Sequence, residues 1–107
     1  MRQLDQLPQL LLSAALRVLW AHGRAGDAEG VRLLAERVPG FTADQYTEAG
    51  RCAAVLNGAA YELAAAWFAD RGRTSAPTPD ELECLCPGFA AQDYRDAAEN
   101  ALLWARK

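Results

Sequence analysis

The residues with the most reactive chemistry in this chain are three cysteines and one histidine: Cys52, Cys84, Cys86 and His22. Zinc sites usually take cysteines about two to four residues apart, often paired with a second such motif. Cys84 and Cys86 are separated by Leu85 alone, and on a helix that spacing turns two thiols about 200° apart around the axis. The pair is therefore poorly placed for a shared metal, and it is not the C-x-x-C of a redox motif. An odd count also argues against a disulfide framework. Free thiols buried in the core of a protein from a reducing compartment are expected, with neither metal nor cofactor. His22 stands where a cation suits the end of a helix, and Arg71 and Arg73 follow a second helix in the same way. With Arg24 they could form a small basic patch for an acidic partner. Among the acids, Asp44, Glu48, Asp93 and Asp96 fall on helix faces expected to meet water. Glu62, set between apolar turns, is the acid expected to be partly buried. No Ser/His/Asp or Cys/His set has informative spacing, and no glycine-rich phosphate loop occurs.

A second kind of signal is repetition. Val38–Ala49 reads VPGFTADQYTEA and Cys86–Ala97 reads CPGFAAQDYRDA. At an offset of 48 residues Leu34 matches Leu82, Pro39 matches Pro87, Gly40 matches Gly88 and Phe41 matches Phe89. Downstream, Ala43, Tyr46, Ala49 and Ala53 match Ala91, Tyr94, Ala97 and Ala101. Each Pro-Gly-Phe has a structural explanation. Proline pushes the preceding residue out of the α region and ends a helix. Glycine permits a positive φ where the chain reverses. Phenylalanine ahead of the next helix can pack on tyrosine in its first turns, as in a hydrophobic staple. Pro39, Gly40, Phe41 and Tyr46, and again Pro87, Gly88, Phe89 and Tyr94, are thus expected to be structural corners.

These corners also resemble the helix-hairpin-helix motif, in which a hydrophobic-Pro-Gly-hydrophobic-Gly hairpin joins two helices. That resemblance covers under a third of the chain and implies contact between hairpin amides and the DNA backbone, with Thr42, Arg51 and Arg95 as the nearest candidates. The chain departs from the motif in two respects. The second glycine is Thr42 in one corner and Ala90 in the other, and the small residue of the following helix is Tyr46 or Tyr94.

Helices must position all of these residues. Apolar spacing from Leu4 through Val18 predicts a first helix, apolar nearly all round apart from Gln9, Ser13 and Arg17, and so central and buried. Gly23 and Gly26 end it. Asp27 caps a second helix carrying Val31, Leu34, Ala35 and Val38. Thr42-Ala-Asp-Gln45 has the form of a capping box. It opens a helix from about Ala43 to about Arg71, along which Tyr46, Ala49, Ala53, Leu56, Ala60, Leu63 and Trp67 step by three and four. Asn57-Gly58 is a tight-turn signal inside it, but the unbroken register favours one continuous helix. A linker at 71–79 follows. Thr78-Pro79-Asp80-Glu81 starts a short helix to about Leu85, and a last one runs from about Ala91 to Arg106.

The expected fold is all-α, a compact bundle of five to six helices in one domain, residues 1–107. It would be built from two tandem units at about 8–56 and 58–106, each a helix, a short helix, a Pro-Gly-Phe corner and a helix, related by a pseudo-twofold axis. The 107 residues are 51% hydrophobic with a net charge of −3. That composition gives no basic field for nucleic acid. Ten of the eleven basic residues are arginine, which fits a GC-rich coding sequence such as a bacterial one. Arg17 and Ser13 interrupt the N-terminal apolar run, which reads neither as a signal peptide nor as a membrane span, and a cytoplasmic protein is expected. The function most consistent with these features is a small non-enzymatic protein that binds another protein, as an adaptor, immunity protein, antitoxin or chaperone. The alanine-rich stripe of the long helix would serve the core or a homodimer. The alternative is a nucleic-acid module using the corners.

Overall fold

A computed structural model describes residues 7–23, 27–69 and 76–105. The described residues form five helices and no strand: α1 Gln9–His22, α2 Ala28–Arg37, α3 Ala43–Phe68, α4 Pro79–Leu85 and α5 Ala91–Ala105. By packing, the chain divides into two compact units, Met1–Ala54 and Val55–Lys107.

In the first unit α1 packs on α2. The carbonyl of Pro8 opens α1 by accepting from the N–H groups of Leu11 and Leu12 at 3.0 and 3.1 Å. Gly23 closes it in the left-handed region, φ 76°, its N–H donating to Leu19 at 2.7 Å. Leu11, Leu12, Ala14, Ala15, Leu16 and Val18 are buried. The helix is nevertheless not covered all round. Leu10, in the first turn beside exposed Gln9, is 67% exposed. Leu4 and Gly26 fall outside the described residues. Asp27 caps α2 as expected, its Oδ1 accepting from the Gly30 N–H at 2.8 Å. Such a cap is worth about 1 kcal/mol. Leu34 is the fully buried anchor of α2, while Val31, Ala35 and Val38 are half-buried.

The helix α3 runs through Asn57-Gly58 without a break. Its Thr42 box forms reciprocally: the Gln45 N–H donates to Thr42 Oγ1 at 3.1 Å, and the Thr42 N–H to Gln45 Oε1 at 2.8 Å. Tyr46, Ala49, Ala53, Leu56 and Ala60 are buried, so that much of the alanine stripe is core. Beyond Ala60 the buried position passes to Ala64; Leu63 is half-buried and Trp67 is 36% exposed. Trp67 lies about five full turns past fully buried Ala49 and so shares its side of the helix; what ends after Ala64 is the cover over that side, near the end of the helix.

In the second unit α4 packs on α5. Thr78 caps α4, its Oγ1 accepting from the Glu81 N–H at 3.2 Å, and Pro79 takes the first helical position. Leu82 is its buried anchor. On α5 Tyr94, Ala97, Ala98 and Ala101 are buried, whereas Trp104 is 65% exposed.

Two expectations about burial are corrected. None of the cysteines is a core residue: Cys84 is exposed, and Cys52 and Cys86 are half-buried. Cys84 lies two residues past Leu82, roughly opposite it around the short helix. Glu62 is exposed, and the buried acid is Asp93, 1% exposed.

Candidate functional site

The Pro-Gly-Phe segments are where the sequence concentrates its distinctive residues. In each, the preceding helix ends one residue before a half-extended residue, Val38 or Cys86, whose N–H still reaches back to Leu34 or Leu82 at 2.9 Å. Proline follows, and glycine then adopts φ 108° at Gly40 and 110° at Gly88. These values lie in territory that side-chain-bearing residues avoid. The Phe41 ring meets Tyr46 edge-on at 5.9 Å and 81°; Phe89 meets Tyr94 at 6.0 Å and 75°.

The tyrosine hydroxyls add a function that sequence reasoning missed. Tyr46 Oη accepts from the Phe41 N–H at 3.2 Å and donates to the Val38 carbonyl at 2.6 Å. Tyr94 Oη accepts from the Phe89 N–H at 3.0 Å and donates to the Cys86 carbonyl at 2.7 Å. One hydroxyl thus ties the residue before proline to the residue after glycine and clasps the reversal shut. The available signal was that both aromatic positions are tyrosine, where a staple needs only an apolar ring. Burial pushes the Tyr94 phenol up from its ordinary value, and the same cause raises the Cys86 thiol.

The next residue in each segment differs. Thr42 belongs to the exposed box already described. Ala90 has no side-chain oxygen, but its N–H donates to Asp93 Oδ2 at 3.0 Å, which explains why a carboxylate is buried there. An anion at the first turn of a helix also complements the helix dipole. The general pattern S/T-x-x-E/Q does not detect Ala-x-x-Asp, although it is half of the same device.

The nucleic-acid candidates can now be placed. The amides of Phe41, Thr42, Phe89 and Ala90 all have acceptors within the chain. Arg51 grips Glu48 through Nε at 2.9 Å and through Nη2, an exposed pair that lowers the Glu48 carboxyl and raises the guanidinium through that same hydrogen bond. Its Nη2 also lies 3.8 Å from Cys52 Sγ. Arg95 donates to Gln92 Oε1 at 2.7 Å. Arg24, Arg71 and Arg73, the expected basic patch, fall outside the described residues; His22 is exposed at the end of α1. Among the described residues no three or more His, Cys, Asp or Glu gather as a metal site. No described helix is long and apolar enough to cross a membrane.

Exposed apolar side chains are unevenly distributed. Among the described residues, eight large ones are exposed: Leu10 in the first unit, and Val55, Tyr61, Trp67, Phe68, Leu85, Leu103 and Trp104 in the second. The rings of the neighbouring Trp67 and Phe68 meet at a tilt of 53°, their centroids 4.9 Å apart. No family model, no curated protein and no solved structure matches the chain.

Proposed function

We propose that this chain is a small non-enzymatic helical protein that acts by binding another protein, in the manner of an adaptor, immunity protein, antitoxin or chaperone. The observation that carries the reading is the concentration, among the described residues, of exposed apolar side chains in the second unit, the aromatic Tyr61, Trp67, Phe68 and Trp104 among them. Singly exposed apolar residues are ordinary, but aromatic ones are enriched at protein-binding surfaces, and the rings of Trp67 and Phe68 lie in contact. The corners support the same reading by what they do with their polar atoms. Their amides serve the chain itself, and a buried carboxylate in the second would repel a phosphate. A cytoplasmic setting fits three free cysteines, one of them exposed.

The same proposal includes the origin of the scaffold as two copies of one unit, about 8–56 and 58–106. Matching glycine φ values, ring geometries and hydroxyl bonds at an offset of 48 residues support it. Failure of those two segments to superpose in an experimental structure would end that part of the proposal.

The functional test compares capture from native lysate by the wild-type chain and by a Trp67→Ser/Phe68→Ser/Trp104→Ser variant, with helicity checked by circular dichroism. The expected outcome is a specific protein retained by wild type and lost by a variant that remains folded. Retention on heparin at low salt, abolished by changing Arg51 and Arg95, would favour the nucleic-acid alternative and sink this one.

A further inference from the structure

Gly58 is left unexplained by the packing of the helix that contains it. A methyl group built on Gly58 would meet nothing within 4 Å, and its φ is not among the positive ones. Glycine therefore serves neither a close approach nor a turn here. It only weakens α3 locally, making opening about fivefold easier than alanine would. Gly58 is exposed and Asn57 half-buried, so water reaches the pair. In an α-helix the N–H of residue 58 donates to the carbonyl of residue 54. Residue 54 is also the last of the first packing unit. A point where glycine weakens the helix and the joint between the two packing units in sequence therefore nearly coincide.

We propose that Asn57-Gly58 is a site of spontaneous covalent rearrangement, gated by local opening of α3. While the helix is closed, the Gly58 nitrogen is engaged by the carbonyl of Ala54 and the backbone of Asn57 is held helical, which keeps its side-chain carbonyl carbon out of line. When this turn opens, the Gly58 nitrogen attacks Asn57 Cγ. A bond forms between them, the bond from Cγ to the side-chain nitrogen breaks, and that nitrogen leaves as ammonia with the proton given up by Gly58. Water then opens the cyclic imide at one of its two carbonyls. The products are aspartate at position 57 or its isomer, in which the main chain passes through the side-chain methylene. The reaction needs only water. The isomer lengthens the backbone by one carbon, so the product cannot re-form α3 as one unbroken helix. Through the isomer, though not through aspartate, the site would turn a continuous helix into two separately ended ones, at a rate set by local opening.

The full-length chain is incubated at neutral pH, natively and in urea, and conversion at position 57 is measured by peptide mapping with mass spectrometry. The ratio of unfolded to native rate gives the protection at this turn. Conversion is expected in the native chain, with a protection that is unchanged by Leu16→Ala in the first unit or by Leu82→Ala in the second. Protection that falls in step with the stability lost in either variant would mean that whole-unit unfolding is the gate, overturning the proposal. Absence of product in native chain while the unfolded chain converts would overturn it equally. Amide hydrogen exchange supplies a readout independent of the chemistry. The amide of residue 58 should exchange about fivefold more slowly, relative to its unfolded rate, in Gly58→Ala; equal protection would contradict the assigned weakness.

Discussion

Removing the Tyr94 hydroxyl should be costly out of proportion to its size. Tyr94→Phe keeps the ring, its edge-on contact with Phe89 and its burial, so no cavity opens. It removes the acceptor of the Phe89 N–H and the donor to the Cys86 carbonyl. The Phe89 bond is buried, and a buried donor without a partner costs about 1–3 kcal/mol. A loss of about 2 kcal/mol is expected, which for a chain of this size lowers Tm by about 8 °C. Tyr46→Phe removes the equivalent atoms from a half-buried corner, where water can replace the hydroxyl, and should cost about 1 kcal/mol. Urea unfolding is the assay, followed by Trp104 in the second unit and Trp20 in the first, in variants retaining one tryptophan. The midpoint should fall with the slope unchanged. A loss below about 0.5 kcal/mol for Tyr94→Phe, or a larger one for Tyr46→Phe, would refute the clasp as a stabilising device. The pH dependence is a second arm. Burial raises the Tyr94 phenol in the folded chain above its ordinary value of 10.0. The protonated form is thus favoured by folding, and the stability it brings is complete below that value and lost as pH rises through the folded one. Wild type should lose this increment in alkali, and Tyr94→Phe should not.

Further outcomes follow from single contacts. Ala90→Ser would supply α5 with the side-chain oxygen that Thr42 gives α3, and thermal melts should show a gain of about 0.5–1 kcal/mol, at the low end for a cap because the Asp93 N–H already reaches the Ala90 carbonyl at 2.9 Å. Alanine at Gly58 and at Gly40 meets no atom within 4 Å in either place, so the two should differ through backbone conformation alone. Gly58→Ala should stabilise by about 1 kcal/mol, whereas Gly40→Ala, at φ 108°, should destabilise by about 1–2 kcal/mol; effects of the same sign would contradict this. In a thiol-labelling time course on native protein, exposed Cys84 should react before Cys86, whose thiol is raised by burial; the reverse order would contradict that placement.

How much of this was legible in the sequence depended on the range of the interaction concerned. Asp27, Thr42 with Gln45, Thr78 and Gly23 announced helix ends correctly because a cap is completed within three or four residues. The unbroken α3 was legible for the same reason: a run of local bonds outweighed the glycines Gly50 and Gly58. The Phe–Tyr pairs could be anticipated as staples, also a local device. The hydroxyl clasp could not, since each bond to the residue before proline joins positions eight apart across a chain reversal. Burial was the least legible property. Asp93 is covered, Leu10 and Trp104 face outward, and Cys84 lies outside the core, although residue type alone suggests the opposite in each case, while Glu62 is exposed despite its place between apolar turns. The sequence by itself determined where helices start, stop and turn, because those choices are settled by neighbouring backbone groups. Only the tertiary structure decided which side of each helix is covered and how far along, because that depends on which distant segment packs there: Ala49 and Trp67 share one side of α3, yet only Ala49 is buried.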